Sequence, residues 1–457
     1  MDDPGPPKSS LNDSTKTTIG VLVAMAVVLI AAGIGIATVR DASNTIRKAT
    51  ATTTTTARTD ASVPPASDLT PEQSKVVEEM KGQVAAIRGL AWKGTLPVKV
   101  LTKEQLATRV RAVNAEEVAE NRDELTADES VLKLLQLIDK DVDYAKTIDS
   151  ILAGGVLGYY DDEAKELFVG GDGSSTLDAA TRSTLAHELT HALTDQHFDF
   201  GTRTKALDDQ NRTEEVAAFS ALIEGDAELV TGLWQERHLS ARERQVAAVG
   251  STADVSAYSK APPYLLEALL FPYQDGLTFA ESRHRAGGFA EIDKAYRNPP
   301  TSTEHILHPE TYASGQTWAP PQLPDLAAAT GCAQVDSGTL GEFDMRHLLS
   351  REISRTDARE AAAGWNGDAF GVVRCGATLG LADRWQTDDP AAAGRLADAL
   401  TRWARGWSGS GRGADGEGRV TGPDGSARVV RNGVRVDLVL AEDVATLDRV
   451  ARVVLAG

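Results

Sequence analysis

The chain has 457 residues, 47 Lys and Arg, 66 Asp and Glu, and a formal net charge of −19. That balance argues against a nucleic-acid binder and against a polybasic grip on anionic lipid, since both need clustered cations. A hydrophobic content of 42% supports ordinary buried cores, and the length suggests two or three folded units.

Residues 1–18 read as a short cytoplasmic tail. The next stretch, 19–39 (IGVLVAMAVVLIAAGIGIATV), carries no charge. As a helix rising 1.5 Å per residue it spans about 30 Å, the thickness of a hydrocarbon core, which predicts one transmembrane helix. A cleaved signal peptide is the alternative, for which the apolar run is long. Lys8 and Lys16 precede the span; Arg40, Arg47 and Lys48 follow it, a distribution that slightly favours the opposite orientation. Residues 40–70 nevertheless hold Thr52 to Thr56 and Pro64-Pro65, the composition of an extracellular stalk. The expectation is therefore a single-pass protein of the cell membrane with an extracytoplasmic body. In that compartment Cys332 and Cys375, the two cysteines of the chain, can form one disulfide; two buried thiols are the alternative.

Beyond the stalk, Pro71–Arg88 reads as a helix, 97–101 as a strand and 103–114 as a helix. A hairpin follows, with arms at 156–160 and 166–169 around a polar turn. Ser175-Thr176-Leu177-Asp178 looks like a capping box opening a helix. That helix carries His187-Glu188-Leu189-Thr190-His191. Histidines four apart leave one helical face and can reach one ion. Glu188, one residue from the first ligand, stands beside the metal yet turned aside, where it can deprotonate a bound water.

A catalytic zinc needs a third protein ligand. In the helix expected at 211–238, Ala217, Ser220, Ala221, Glu224, Ala227 and Glu228 share one face, and the small residues let another helix come close. Glu224 is the first choice, ahead of Glu228 and then Glu215; Asp226 is rotated away by about 200°. Glu228, one turn on, is placed to hydrogen-bond a ligand histidine. Asp195, one turn after His191, either orients that ring or is solvated. For oxyanion stabilisation His308 is favoured, unless it only pins its loop; His305, Tyr160 and Tyr312 are alternatives. His197, roughly 80° off the ligand face, reads as structural.

The stretches HELTHALTDQHFDF at 187–200 and ALIEGDAELV at 221–230 resemble the gluzincin branch of zinc metallopeptidases. With GYYDDEAKELFV at 158–169 and PPTSTEHILHPE at 299–310 they are similar to a group of predicted, often membrane-anchored actinobacterial metallopeptidase-like proteins. The resemblance implies His187, His191 and Glu224 as ligands of one catalytic zinc ion and Glu188 as the base. The gap between His191 and Glu224 is longer than in compact gluzincins and leaves room for a loop at 198–210. The expected activity is hydrolysis of peptide bonds through a zinc-bound water. The extended peptide or protein substrate would pair with an edge strand at Val156, Gly158 and Tyr160. The alternatives are a non-catalytic cell-envelope binding protein on a zincin fold and a zinc hydrolase of non-peptide bonds.

The zincin-like domain is expected over 71–312, its lower half built from helices in 262–297 that break at Pro272-Tyr273. An α+β accessory module is expected over 326–457. It contains a helix at 341–351, strands near 370–374 and 378–385, a helix at 390–407, a hairpin turning at Asn432-Gly433 and a final helix. The expected fold class is thus α+β: a small sheet, the HExxH helix and a helical lower half, then the accessory module, all preceded by the transmembrane helix.

Overall fold

The computed structural model describes residues 67–456 except 121, 156, 172–175, 251–260, 411–414 and 416–417. The first helix, α1 (Pro71–Arg88), starts where its sequence demands. The Thr70 hydroxyl accepts from the Gln73 amide, the Gln73 side chain accepts from the Thr70 amide, and Pro71 occupies the first turn, where no hydrogen bond is lost.

Four strands make a small sheet: β1 (Ser67–Asp68), β2 (Val98–Thr102), β3 (Gly158–Asp161) and β4 (Glu166–Gly171), in the order β1-β2-β4-β3. The β2–β4 pair is parallel, which requires a crossover. Helices α2 (Lys103–Glu120), α3 (Arg122–Leu134) and α4 (Tyr144–Gly155) supply it. Strand β3 is left at the edge, as expected for Gly158 and Tyr160; Val156 lies outside the described residues.

Next come α5 (Ala179–Phe198), α6 (Phe200–Asp208), α7 (Thr213–His238), α8 (Ala241–Gly250), α9 (Pro263–Gly287) and α10 (Phe289–Arg297). Asp178 caps α5, its carboxylate accepting from the Thr181 amide, while Ser175 of the expected capping box lies outside the described residues. The loop expected at 198–210 is mostly α6, anchored by buried Phe200. The expected break at Pro272 does not occur. Leu265, Phe271, Tyr273 and Phe279 are buried along α9, and that burial keeps the helix continuous through the proline. Helices α7 and α9 cross with their backbones in contact. A Cβ at Gly225 would lie 2.0 Å from the Gly276 carbonyl oxygen, and one at Gly276 would lie 2.2 Å from that of Ala221. Only glycine fits at this crossing.

Short helices α11 (Thr303–Leu307), α12 (Pro309–Ser314) and α13 (Leu326–Thr330) lead into an antiparallel six-stranded sheet. Its strands are β5 (Ala333–Gly338), β6 (Trp365–Cys375), β7 (Thr378–Thr387), β8 (Arg419–Gly422), β9 (Gly425–Asn432) and β10 (Arg435–Ala441), ordered β5-β6-β7-β10-β9-β8. Helices α14 (Gly341–Ser350), α15 (Arg355–Ala362), α16 (Pro390–Trp407) and α17 (Val444–Val454) complete it. A disulfide joins Cys332 to Cys375, holding the start of β5 against the end of β6.

One contiguous core runs from Val77 of α1 through Leu189 of α5 and Phe343 of α14 to Trp403 of α16. The joint is also hydrogen-bonded: Trp407 Nε1 donates to the Leu134 carbonyl at 2.7 Å, and Gln136 Nε2 donates to the Trp407 carbonyl at 3.0 Å.

The expected fold class needs one correction. Among the described residues no helix is long and apolar enough to cross a membrane. The longest, α7, carries Glu214, Glu215, Glu224, Asp226, Glu228, Glu236 and Arg237 along its length. The span expected at 19–39 lies outside the described residues. The described fold is a mixed helix and strand body.

Candidate metal centre

Helix α5 lies inside the molecule, with Leu185, Ala186, Leu189, Ala192 and Leu193 fully buried. Its two histidines therefore point into the protein. Helix α7 brings Glu224 to them, next to the glycine crossing that fixes α7 against α9. His187 Nε2 lies 2.9 Å from His191 Nε2 and 3.2 Å from Glu224 Oε2, and His191 Nε2 lies 3.3 Å from the same oxygen. All three residues are buried, as is Glu188 at 0% exposure.

The donor set fits a zinc ion. Tetrahedral ligands at 2.0–2.1 Å from zinc stand about 3.3 Å apart, close to the three edges observed. Two ring nitrogens at 2.9 Å also need a proton or a cation between them, since two bare lone pairs repel. Two nitrogens and one carboxylate oxygen are the ligand types of an open catalytic zinc site.

Burial opposes a charge on His187, but Glu224 and Glu228 outweigh it and raise its pKa to about 10. Burial likewise opposes the charge on Glu224, and His191 with His187 overcomes it, holding the carboxylate at about 2. The cluster is thus built to hold positive charge. Glu228 Oε1 lies 3.2 Å from His187 Nδ1, the placement expected for a residue that orients a ligand ring. Glu188 differs: burial pushes its carboxyl well above the usual range, against the His187 charge. The Tyr160 backbone, which favours the charged carboxylate, does not offset that burial.

Other expected site residues go elsewhere. Asp195 does not orient His191, whose Nδ1 has no partner. Its Oδ2 accepts from the Tyr160 hydroxyl at 2.8 Å and from Lys165 Nζ. This ties the edge hairpin to the ligand helix, and it commits the Tyr160 hydroxyl. His308 is not brought to the cluster. Its Nε2 lies 3.0 Å from Glu342 of α14 and its Nδ1 3.7 Å from Glu310, so both nitrogens face carboxylates and the loop is pinned. His305 and Tyr312 bond backbone carbonyls of Gln316 and Asn298, and His197 contacts that of Ala91. Glu215 pairs with Arg212 near the surface. Asp226, turned from the cluster as expected, meets Arg88 at 2.9 Å, both side chains fully buried.

One neighbour was missed. The Tyr273 ring lies 6.5 Å from the His187 ring, centroid to centroid, and is buried. Adjacent Pro272 disguises it in the sequence as a helix break. Its spacing from Leu266 and Leu269, at i+7 and i+4, was the available signal.

A family model described as a domain of unknown function (DUF8575) matches residues 329–451, within the six-stranded region and apart from the metal cluster. No curated protein matches the chain, and no solved structure does.

Proposed function

We propose that this protein is an extracytoplasmic zinc-dependent peptidase of gluzincin type. The observation that carries the reading is the buried triangle of His187, His191 and Glu224, edges 2.9 to 3.3 Å, with Glu188 buried on the same helix. The disulfide supports an oxidising compartment.

His187, His191 and Glu224 would hold the ion, and Glu228 would keep the His187 ring turned toward it. When bound, zinc supplies a Lewis acid that polarises the scissile carbonyl and acidifies water. Glu188 accepts the proton of the attacking water on a carboxylate oxygen and passes it to the leaving amine nitrogen. Its hydrophobic surroundings suit that work, because they raise its affinity for a proton. The free edge of β3 pairs with the substrate backbone, and the Lys165–Asp195–Tyr160 link holds that edge against α5. Tyr273, rather than His308, is the side chain to test for stabilising the developing oxyanion.

The test is a zinc assay joined to a screen of a proteome-derived peptide library. The reading predicts one zinc per chain, cleavage by the wild-type protein and loss of cleavage in Glu188→Gln with zinc retained. Absence of stoichiometric metal, or full activity in Glu188→Gln, would overturn it.

A further inference from the structure

A second site lies on another face of α9. Tyr273 stands beside His187, while Gln274, about 100° further around the helix, lines a pocket of about 320 Å³ between α9, α14 and α15. That volume is in the range of small-molecule sites. Its apolar lining is Leu270, Phe271, Leu307 and Phe343; Phe271 and Phe343 are buried. Three arginines, Arg346, Arg355 and Arg359, also line it, in a chain whose net charge is −19.

The charges in this pocket do not cancel. Glu267 is saturated: its carboxylate lies 2.7 Å from His347 Nε2 and also accepts from Arg355. The His347 hydrogen bond is the main reason that the Glu267 carboxyl is held at about 2. His347 is committed on its other side as well, with Nδ1 2.8 Å from the Phe343 carbonyl. Arg359 faces Asp275, and Arg346 faces Asp275, Glu267 and, beyond the lining, Glu342, which lies 3.0 Å from His308 Nε2. Among the described residues neither guanidinium is in ion-pair contact with any of these carboxylates. The lining itself sets three guanidiniums against two carboxylates, Glu267 and half-buried Asp275, beside an apolar wall. Guanidinium groups match a carboxylate through paired N–H donors.

We propose that this pocket binds a small carboxylate joined to an apolar group. The carboxylate meets Arg346 and Arg359, and the apolar group rests on Phe271 and Phe343. Two sources share that chemistry: the C-terminal residue of a peptide, and a short fatty acid. The site does not depend on the peptidase reading, because none of its residues belongs to the metal cluster.

Calorimetric titration of the full chain with N-acetyl-leucine, N-acetyl-leucinamide and octanoate tests it. Either acid is expected to bind, with an affinity that falls as salt rises, and the amide to bind at least about tenfold more weakly, the loss of one charge-assisted hydrogen bond. Tighter binding of N-acetyl-leucine supports the proposal with a peptide terminus as the source, and tighter binding of octanoate supports it with a fatty acid. Arg346→Gln and Arg359→Gln should each lose about tenfold in affinity. Arg359 is exposed, so its variant keeps the test alive if Arg346→Gln fails to fold. Glu188→Gln should bind like wild type. Equal affinity for acid and amide, no binding of either acid at millimolar concentration, undiminished binding in Arg359→Gln, or lost binding in Glu188→Gln would each overturn the assignment.

Discussion

Around the metal cluster buried carboxylates converge, whereas in the six-stranded region they are dispersed, each among its own neighbours. Glu188, Glu224 and Glu228 come from two helices to two histidines. By contrast, Asp368 accepts from the Leu340 and Gly341 amides and from Trp365 Nε1, at 2.7 to 2.9 Å. Asp437 takes Arg384 Nε at 2.6 Å. Asp383 is fully buried with no cation among its described neighbours, and burial pushes its carboxyl well above the usual range against the Arg384 backbone. A buried carboxyl with no cation beside it is therefore tolerated in the second region. What distinguishes the first region is convergence with ring nitrogens, not burial alone.

The largest effect should separate the two regions by chemistry. Glu188→Gln should lower peptide hydrolysis by about 10²–10⁴-fold with zinc content unchanged, and His191→Ala should remove the zinc as read by elemental analysis. Equivalent losses from Asp383→Asn would erase the contrast. Replacing Cys332 and Cys375 by serine releases a disulfide whose partners lie 43 residues apart, which the chain-entropy account values at about 4 kcal/mol. Denaturant titration should show that loss, with zinc stoichiometry intact in the native state. Gly225→Ala should cost about 3 kcal/mol by forcing α7 from α9, and it should weaken zinc binding through the neighbouring Glu224. Wild-type zinc affinity in that variant would mean that the crossing does not position the ligand. A further effect concerns pH. Burial raises Asp344 from 3.8 to about 7. Its folded form binds the proton more tightly, so its contribution is complete below 3.8 and is lost as pH rises through about 7. Unfolding midpoints across that window should fall with pH, and Asp344→Asn should flatten the fall.

Local spacing made the centre of the cluster legible. His187 and His191 share a face by helix geometry alone, and Glu224 lies on a face marked by small residues. The remainder depended on distant partners. Asp195 is claimed by Lys165 and Tyr160, 30 and 35 residues before it. His308 is claimed by Glu342, 34 residues after it. No periodicity reports such pairings. The helix break at Pro272 was overruled by burial along α9, and β5, of sequence AQVDSG, has too little apolar alternation to read as a strand. It exists through its pairing with β6. The helices of the small sheet's crossover were read only in part, since α2 alone was anticipated among the three.

The bond from Trp407 to the Leu134 carbonyl spans 273 residues of sequence. At a synthesis rate of about 5–20 residues per second, the acceptor leaves the ribosome about 14–55 s before its donor. Until then the joint at Leu134 and Gln136 stays open, although α16 itself packs mainly on β8, β9, β10 and α15. A chain truncated before Pro390 also loses β8, β9 and β10 and leaves β7 as an open edge. It should therefore be a substrate for chaperones and proteases rather than a smaller stable protein.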